Sequence, residues 1–357
     1  MDVIRAIRMS SQQLAGAAFE NPVDVVSWMG AVQAQDYNMS KWAVGVRLRS
    51  GSTVEAVEKA MERGEIVRTH VMRPTWHLAP AEDIRWMLSL SERHIKACSR
   101  SRDKALGITE GLYTRVNGLL EKILEGNRHL TRKEISSELN LAGVVADTSR
   151  MNHFMVRAEA EAIVCSGVDK DGKPTYALLE ERIAPVRALH REEALARLAE
   201  KYFMSHSPAS LYDFAWWSGL SVTEARQATG LIDHMLLTVR YGDSALLVHQ
   251  SCREASADDV TTHLLPSYDE YVISYKDRSS VLDVAHYPKA FSAQGVFHPL
   301  ILHEGAVIGR WSKTIRKNRI VTEPSFFDKS RTVSEESLAV ATDKYRLFSQ
   351  NNHVHLP

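Results

Sequence analysis

Cysteine is scarce and scattered in this 357-residue chain: Cys98, Cys165 and Cys252 form no pair and no cluster. An odd, widely spaced set gives neither a disulfide framework nor a zinc motif. Long apolar runs are missing too. No stretch nears the ~18 uninterrupted apolar residues of a membrane span, and Met1 to Ser10 has no signal-peptide core. Net charge of one sign is also absent. The 44 Lys and Arg are balanced by 44 Asp and Glu, which argues against a uniformly basic coat for nucleic acid. The expectation is a cytoplasmic protein that uses no metal, no nucleotide cofactor and no membrane.

What the chain does have is ample core and uneven charge. Its 44% apolar content and its length suit two to four compact units. Between Arg93 and Lys133 ten basic residues face four acids, and Arg310–Arg319 holds five basic residues and no acid. Such runs read as phosphate-contacting patches or as solvated faces.

A repeated order of elements organises the middle. Thr114–Leu124 reads as an amphipathic helix. Thr131 with Glu134 forms a capping box that opens a second helix to Leu139, and Ser149–Ala162 is a third. Ile163–Gly167, the turn Asp169–Gly172 and Thr175–Leu178 then make a hairpin. Glu192–Met204, Ser210–Ser218, a helix capped by Ser221 with Glu224, and a hairpin over Leu236–His249 turning at Gly242-Asp243 repeat that order. Three helices and a hairpin are a winged helix. Ser11–Gly16, Val23–Val32, Thr53–Arg63 and the extended runs Ile66–Met72 and Thr75–Leu78 predict another, ahead of these two. After Thr261 come short strands (Tyr271–Tyr275, Leu300–His303, Ala306–Trp311, Arg319–Phe326) and a closing helix, Leu338–Asn351, which suggest a small barrel or sheet cap. The fold class is α+β, with three tandem winged helices (1–93, 94–185, 186–258) and a C-terminal β-barrel-like unit (259–357).

The run Ala31-Val32-Gln33-Ala34-Gln35-Asp36 ends an apolar segment. Taken alone, a Gln pair reads as an exposed helix end. Gln offers a carbonyl dipole and an amide donor but takes up no proton near neutral pH. In a helix, residues two apart point about 200° from each other; in an extended segment they share a face. A site built on both therefore needs the pair beyond the helix, and Asp36 and Asn38 are plausible helix stops.

Val32–Asp36 and Arg68–Leu78, with Asp213-Phe214-Ala215-Trp216-Trp217-Ser218-Gly219-Leu220, Leu264–Tyr271, Tyr275–Arg278 and Gly305–Trp311, are collinear with a known pattern. Together they resemble the AlkZ/YcaQ family of bacterial DNA glycosylases over essentially the whole chain. The resemblance implies tandem winged helices forming a concave surface on double-stranded DNA. It also implies removal of alkylated purines, bulky adducts or crosslinks in some members, near the nucleoid. The family motif, Gln-x-Gln or Gln-x-Asp, falls on Gln33 and Gln35, which become the expected catalytic pair.

Guanine alkylated on its imidazole nitrogen already carries a positive charge and leaves neutral, so two amides that only place water and stabilise an oxocarbenium ion suffice. The reading is a monofunctional, metal-independent glycosylase. Asp36 is a rival general base, although its offset turns it to the other face. Arg73, expected to contact DNA, and Trp76 and His77 follow on the extended run as possible cleft residues, against core packing for Trp76 and a structural role for His77. Trp216 and Trp217 read as core, and Asp269, Glu270 and Tyr271 as junction hydrogen bonding. Arg150, Asn152 and Arg157 occupy a recognition-helix position, and Lys313, Arg316, Lys317 and Arg319 are phosphate contacts. The alternative is a non-catalytic winged-helix regulator or damage sensor.

Overall fold

A computed structural model describes residues 2–49, 51–242, 244–256, 262–316, 319–328 and 333–350. The chain is mixed α and β. It opens with α1 (Val3–Ser11), α2 (Pro22–Met29), the two-residue β1 (Val32–Gln33), α3 (Tyr37–Gly45) and α4 (Val54–Glu62). A hairpin follows, β2 (Ile66–Val71) and β3 (Thr75–Pro80). β3 is central in the sheet β1-β3-β2, with Val32 opposite Leu78 and Gln33 opposite His77.

Three expectations fail here. Ser11–Gly16 is the end of α1 and a turn, and Val32 has already left the helix. Asp36 starts a helix instead of stopping one: its Oδ1 accepts the Met39 N–H at 3.1 Å as the N-cap of α3. Asp serves both purposes because its short carboxylate captures nearby backbone N–H groups, and no sequence pattern said which side would be helical.

The long α5 (Ile84–Ala105) leads to α6 (Glu110–Leu124), β4 (Leu130–Thr131), α7 (Arg132–Leu141), α8 (Thr148–Ala160), β5 (Val164–Ser166) and β6 (Thr175–Leu178). Their sheet is again three-stranded, β4-β6-β5. The Thr131–Glu134 capping box is present with both bonds made. After α9 (Leu179–Arg182) come α10 (Arg191–His206), α11 (Leu211–Ser218), α12 (Val222–Leu231), β7 (Leu236–Tyr241) and β8 (Ser244–His249). The Ser221–Glu224 box caps α12, and Asp243 lies outside the described residues. A lone bridge, Ala209 to Leu247, sits where the first two units have their short first strand.

The last unit departs from the expected barrel. β9 (Thr262–Leu265), β10 (Leu300–His303), β11 (Ala306–Arg316) and β12 (Arg319–Phe326) form one antiparallel sheet in the order β12-β11-β10-β9, with α15 (Glu335–Ser349) against β9. Among the described residues β9 and β12 stay unpaired edges, so the sheet is open. One strand too few was available: Tyr271–Tyr275, expected to be extended, is largely the short helix α13 (Glu270–Ile273), capped by Asp269. A second short helix, α14 (Tyr287–Ala290), precedes β10.

The first unit and the final sheet share one core. Trp42, Val44, Leu48, Leu78, Leu264, Ile301, Trp311, Tyr345 and Phe348 belong to a single buried cluster. The Trp42 and Trp311 indoles donate to the Leu264 and Leu265 carbonyls at 2.6 and 2.7 Å. α3 and α15 approach so closely that a Cβ on Gly45 would lie 2.4 Å from the Phe348 ring. This packing brings the Asp269–Ile273 segment underneath β1.

Candidate active site

Gln33 ends β1 and Ala34 continues the ladder, donating to the Trp76 carbonyl at 2.7 Å. The chain then bends at Gln35, past the helix end, and both glutamines border one cleft of about 590 Å3. Gln33 is buried and Gln35 exposed. The Gln35 N–H donates to Gln33 Oε1 at 2.7 Å, which fixes the Gln33 carboxamide while leaving its carbonyl a second lone pair. No described residue bonds the Gln35 carboxamide, which is free to meet a ligand.

The floor beneath the pair carries a buried negative charge. Glu270 Oε1 accepts the Gln33 N–H at 2.6 Å, and its Oε2 accepts from Ser274 Oγ with His206 Nε2 3.7 Å away. Despite burial, which opposes ionisation, the His206 and Ser274 contacts hold its carboxyl down at about 2. Asp269 makes a two-pronged ion pair with Arg47 at 2.8 Å on each side, both side chains fully buried, and the Tyr271 hydroxyl donates to the Gly305 carbonyl. The junction role expected of Asp269, Glu270 and Tyr271 is what their bonds describe.

His77 shares Gln33's face across the sheet but does not border the cleft. Its Nδ1 bonds the Thr75 carbonyl at 2.9 Å, and burial pushes its pKa down to about 4. It is neutral at physiological pH. Trp76 points the other way, into the packing between the first two units, under the Arg68 guanidinium and against His70. Asp36 spends both oxygens, Oδ1 on its N-cap bond and Oδ2 on the Ser267 hydroxyl at 3.0 Å.

The opposite wall comes from further along the chain. Trp216, Tyr268, Arg278, Phe291 and Phe297 border the cleft together with Arg73. Trp217 is wholly buried as expected, but Trp216 is 40% exposed and belongs to the cleft. That split was legible: neighbours on a helix point about 100° apart, so a Trp-Trp pair on a one-sided helix buries one ring. Arg278 and the two phenylalanines carry no comparable signal, since only the fold brings them to the Gln pair. Two turns at the cleft use left-handed residues that are not glycine, Met72 (φ 61°) beside Arg73 and Tyr268 (φ 58°). Such residues cluster at functional sites.

The other expected DNA contacts are dispersed. Arg150 donates to the Leu106 carbonyl at 2.8 Å, Asn152 accepts from Arg132, and the largely buried Arg157 is tied to Glu110 and Glu161. Lys313 Nζ donates to the Tyr345 hydroxyl at 2.7 Å. Lys317 lies outside the described residues, and Arg316 and Arg319 are described only through their strands. Arg150, Asn152, Arg157 and Lys313 do not border the Gln cleft.

Comparison with known proteins now fits the geometry. The family model described as DNA glycosylase AlkZ-like matches residues 26–348. The chain belongs to the AlkZ-like DNA glycosylase family. An AlkZ-like chain should share the architecture of its relatives, and it does. The Streptomyces sahachiroi DNA glycosylase AlkZ superposes with a TM-score of 0.79 at 20% identity, covering 96% of this chain and 95% of that one. At that identity the likeness speaks for the fold. No curated protein matches the chain. Among the described residues of this AlkZ-like chain no helix is long and apolar enough to cross a membrane, and no group of three or more His, Cys, Asp or Glu could hold a metal ion.

Proposed function

We propose that this protein is a monofunctional DNA glycosylase that releases cationic alkylated purines from double-stranded DNA, with Gln33 and Gln35 as the catalytic pair and no metal in the reaction. The three helix-and-hairpin units are read as tandem winged helices (1–93, 94–185, 186–258) that carry the duplex, with the sheet unit (259–357) closing the cleft. Bulky adducts and interstrand crosslinks are within the proposed lesion class.

The observation that carries this reading is that Gln33, at the end of β1, and Gln35, in the bend that follows, border the same cleft. A ring-nitrogen-alkylated guanine needs no proton to depart. Its C1′–N9 bond breaks, the electron pair neutralises the purine, and the sugar becomes an oxocarbenium ion. Water then adds at C1′ and loses its proton to solvent. The Gln33 carbonyl, fixed by the Gln35 N–H, and the Gln35 carbonyl, ordered when substrate binds, hold that water and face the growing positive charge. Glu270, ionised behind β1, adds a favourable field from about one residue's depth. His77, neutral and walled in, has no proton to offer, and the engaged Asp36 is a helix cap in this reading instead of a base.

The direct test is to incubate duplex DNA carrying N7-methylguanine with the wild type and with Gln33→Ala/Gln35→Ala. Base release by the wild type that drops about 100-fold or more in the double variant supports the proposal, by analogy with the loss of one fixed transition-state dipole. Tight binding with no release by the wild type would favour a non-catalytic damage sensor.

A further inference from the structure

Two arginines border the Gln cleft without a carboxylate partner. Arg73, on the β2–β3 turn, donates no hydrogen bond among the described residues, and its Nε is buried with no acceptor. Arg278 spends Nε on the Val272 carbonyl at 2.9 Å and Nη1 on that of Lys276 at 3.4 Å, leaving Nη2 unclaimed. Both guanidinium groups face the Trp216 ring, at 5.1 and 5.7 Å from its centre. Trp216 is itself pinned by an indole N–H bond of 3.0 Å to the Ile273 carbonyl. Among the buried arginines, Arg47 is by contrast ion-paired to Asp269 and bonded to Gln12, and Arg157 is ion-paired to two glutamates. Burial depresses the pKa of Arg73 and of Arg278, yet an arginine stays charged in proteins.

Both guanidinium groups are half-buried, and their empty donors on the cleft side are ones that an anion can fill. The charge balance points the same way. Glu270 acts on Arg73, and Asp213 and Asp277 act on Arg278, but none is ion-paired to them, so the two cations at the edge of the cleft oppose a sugar that turns positive, whereas an anion between them removes that opposition and adds attraction. We propose that Arg73 and Arg278, held against Trp216, seat one backbone phosphodiester next to the damaged nucleotide. The seated phosphate fixes the sugar over Gln33 and Gln35 and supplies negative charge beside C1′. This rests on the glycosylase reading for the identity of the anion, but not for the existence of the seat.

The experiment uses the full chain and a duplex with a stable abasic analogue in place of the lesion, so that binding is measured without any base release. Single phosphates on either side of the analogue are replaced in turn by uncharged methylphosphonates. The wild type should lose about tenfold in affinity at one or two adjacent positions and little elsewhere, the scale of a hydrogen bond to a charged group. Arg73→Gln/Arg278→Gln should bind native DNA about tenfold more weakly and show no further loss with methylphosphonate. Arg73→Lys, which keeps the charge, should recover part of the difference and controls for folding. Wild-type binding indifferent to every adjacent methylphosphonate, or a double variant as sensitive as the wild type, overturns the proposal. So does competition by inorganic phosphate at matched ionic strength without methylphosphonate sensitivity, which would make the seat one for a free anion. If the signature appears but the wild type releases no base from methylated DNA, the phosphate seat stands and the glycosylase reading falls. Base release without the signature does the reverse.

Discussion

At the scale of single residues, the site is built from groups that do not titrate near neutral pH. Glu270 is ionised down to about pH 2 and His77 is neutral down to about pH 4. Release of N7-methylguanine at saturating enzyme should therefore be flat from about pH 5.5 to 8, measured as single-turnover rate. A rate that falls about tenfold per unit on either side would reveal a titrating acid or base and remove the Gln pair from the centre. A second expectation concerns the buried pair Arg47–Asp269. Asp269→Ala leaves an uncompensated guanidinium in the core, at a cost of about 3–5 kcal/mol. Chemical denaturation should show it as a lower midpoint. Asp269→Asn, which keeps the N-cap bond to Tyr271 but loses the charge, should cost less.

At the scale of elements, close approaches decide where the cleft walls stand. Gly219 ends α11 at φ 72°, and a Cβ there would meet the Met72 carbonyl at 2.8 Å, in the turn that presents Arg73. Gly219→Ala should lose about 2 kcal/mol of stability from the left-handed strain and the clash, and base release should fall with the displaced turn. Gly230→Ala, in α12 with nothing within 4 Å, should leave release unchanged and raise stability by ~0.5–1 kcal/mol. Elements with local signals were readable from the chain. The Thr131–Glu134 and Ser221–Glu224 capping boxes are short-range chemistry that folds the same way in any context. α3 was not readable, because its ambiguous Asp36 start is followed by an almost wholly buried helix with no polar face to mark the period. α13 was misread as a strand for a similar reason: Glu270–Ile273 is buried all round, and a short apolar run does not distinguish strand from helix. Half of the candidate site was legible, the Gln-x-Gln run and Arg73. The other half, Arg278 with the aromatic wall, comes from residues some 200 positions away and exists only after folding.

At the scale of the whole molecule, the shared core of the first unit and the C-terminal sheet makes the cleft a joint between distant parts of the chain. Its buried imidazoles tie that joint to pH. His77 and His263 are driven down to about 4 and about 3, and His206 is lowered too. The folded state thus binds fewer protons than the unfolded one below the ordinary histidine pKa near 6.5. Their contribution is present above pH 6.5 and is lost as pH falls towards 4, roughly 3 kcal/mol for His77 alone. The thermal midpoint should drop steadily from pH 7 to pH 4.5, and a flat or rising midpoint would contradict the burial described here. In the proposed reaction an amide pair with no proton to give serves a leaving group that is already charged. That match is tested most directly by single-turnover release of N7-methylguanine and of uracil from otherwise identical duplexes, by the wild type and by Gln33→Ala. Methylguanine release should depend on Gln33, and uracil should not be released. Uracil excision that depends fully on Gln33 would contradict that match.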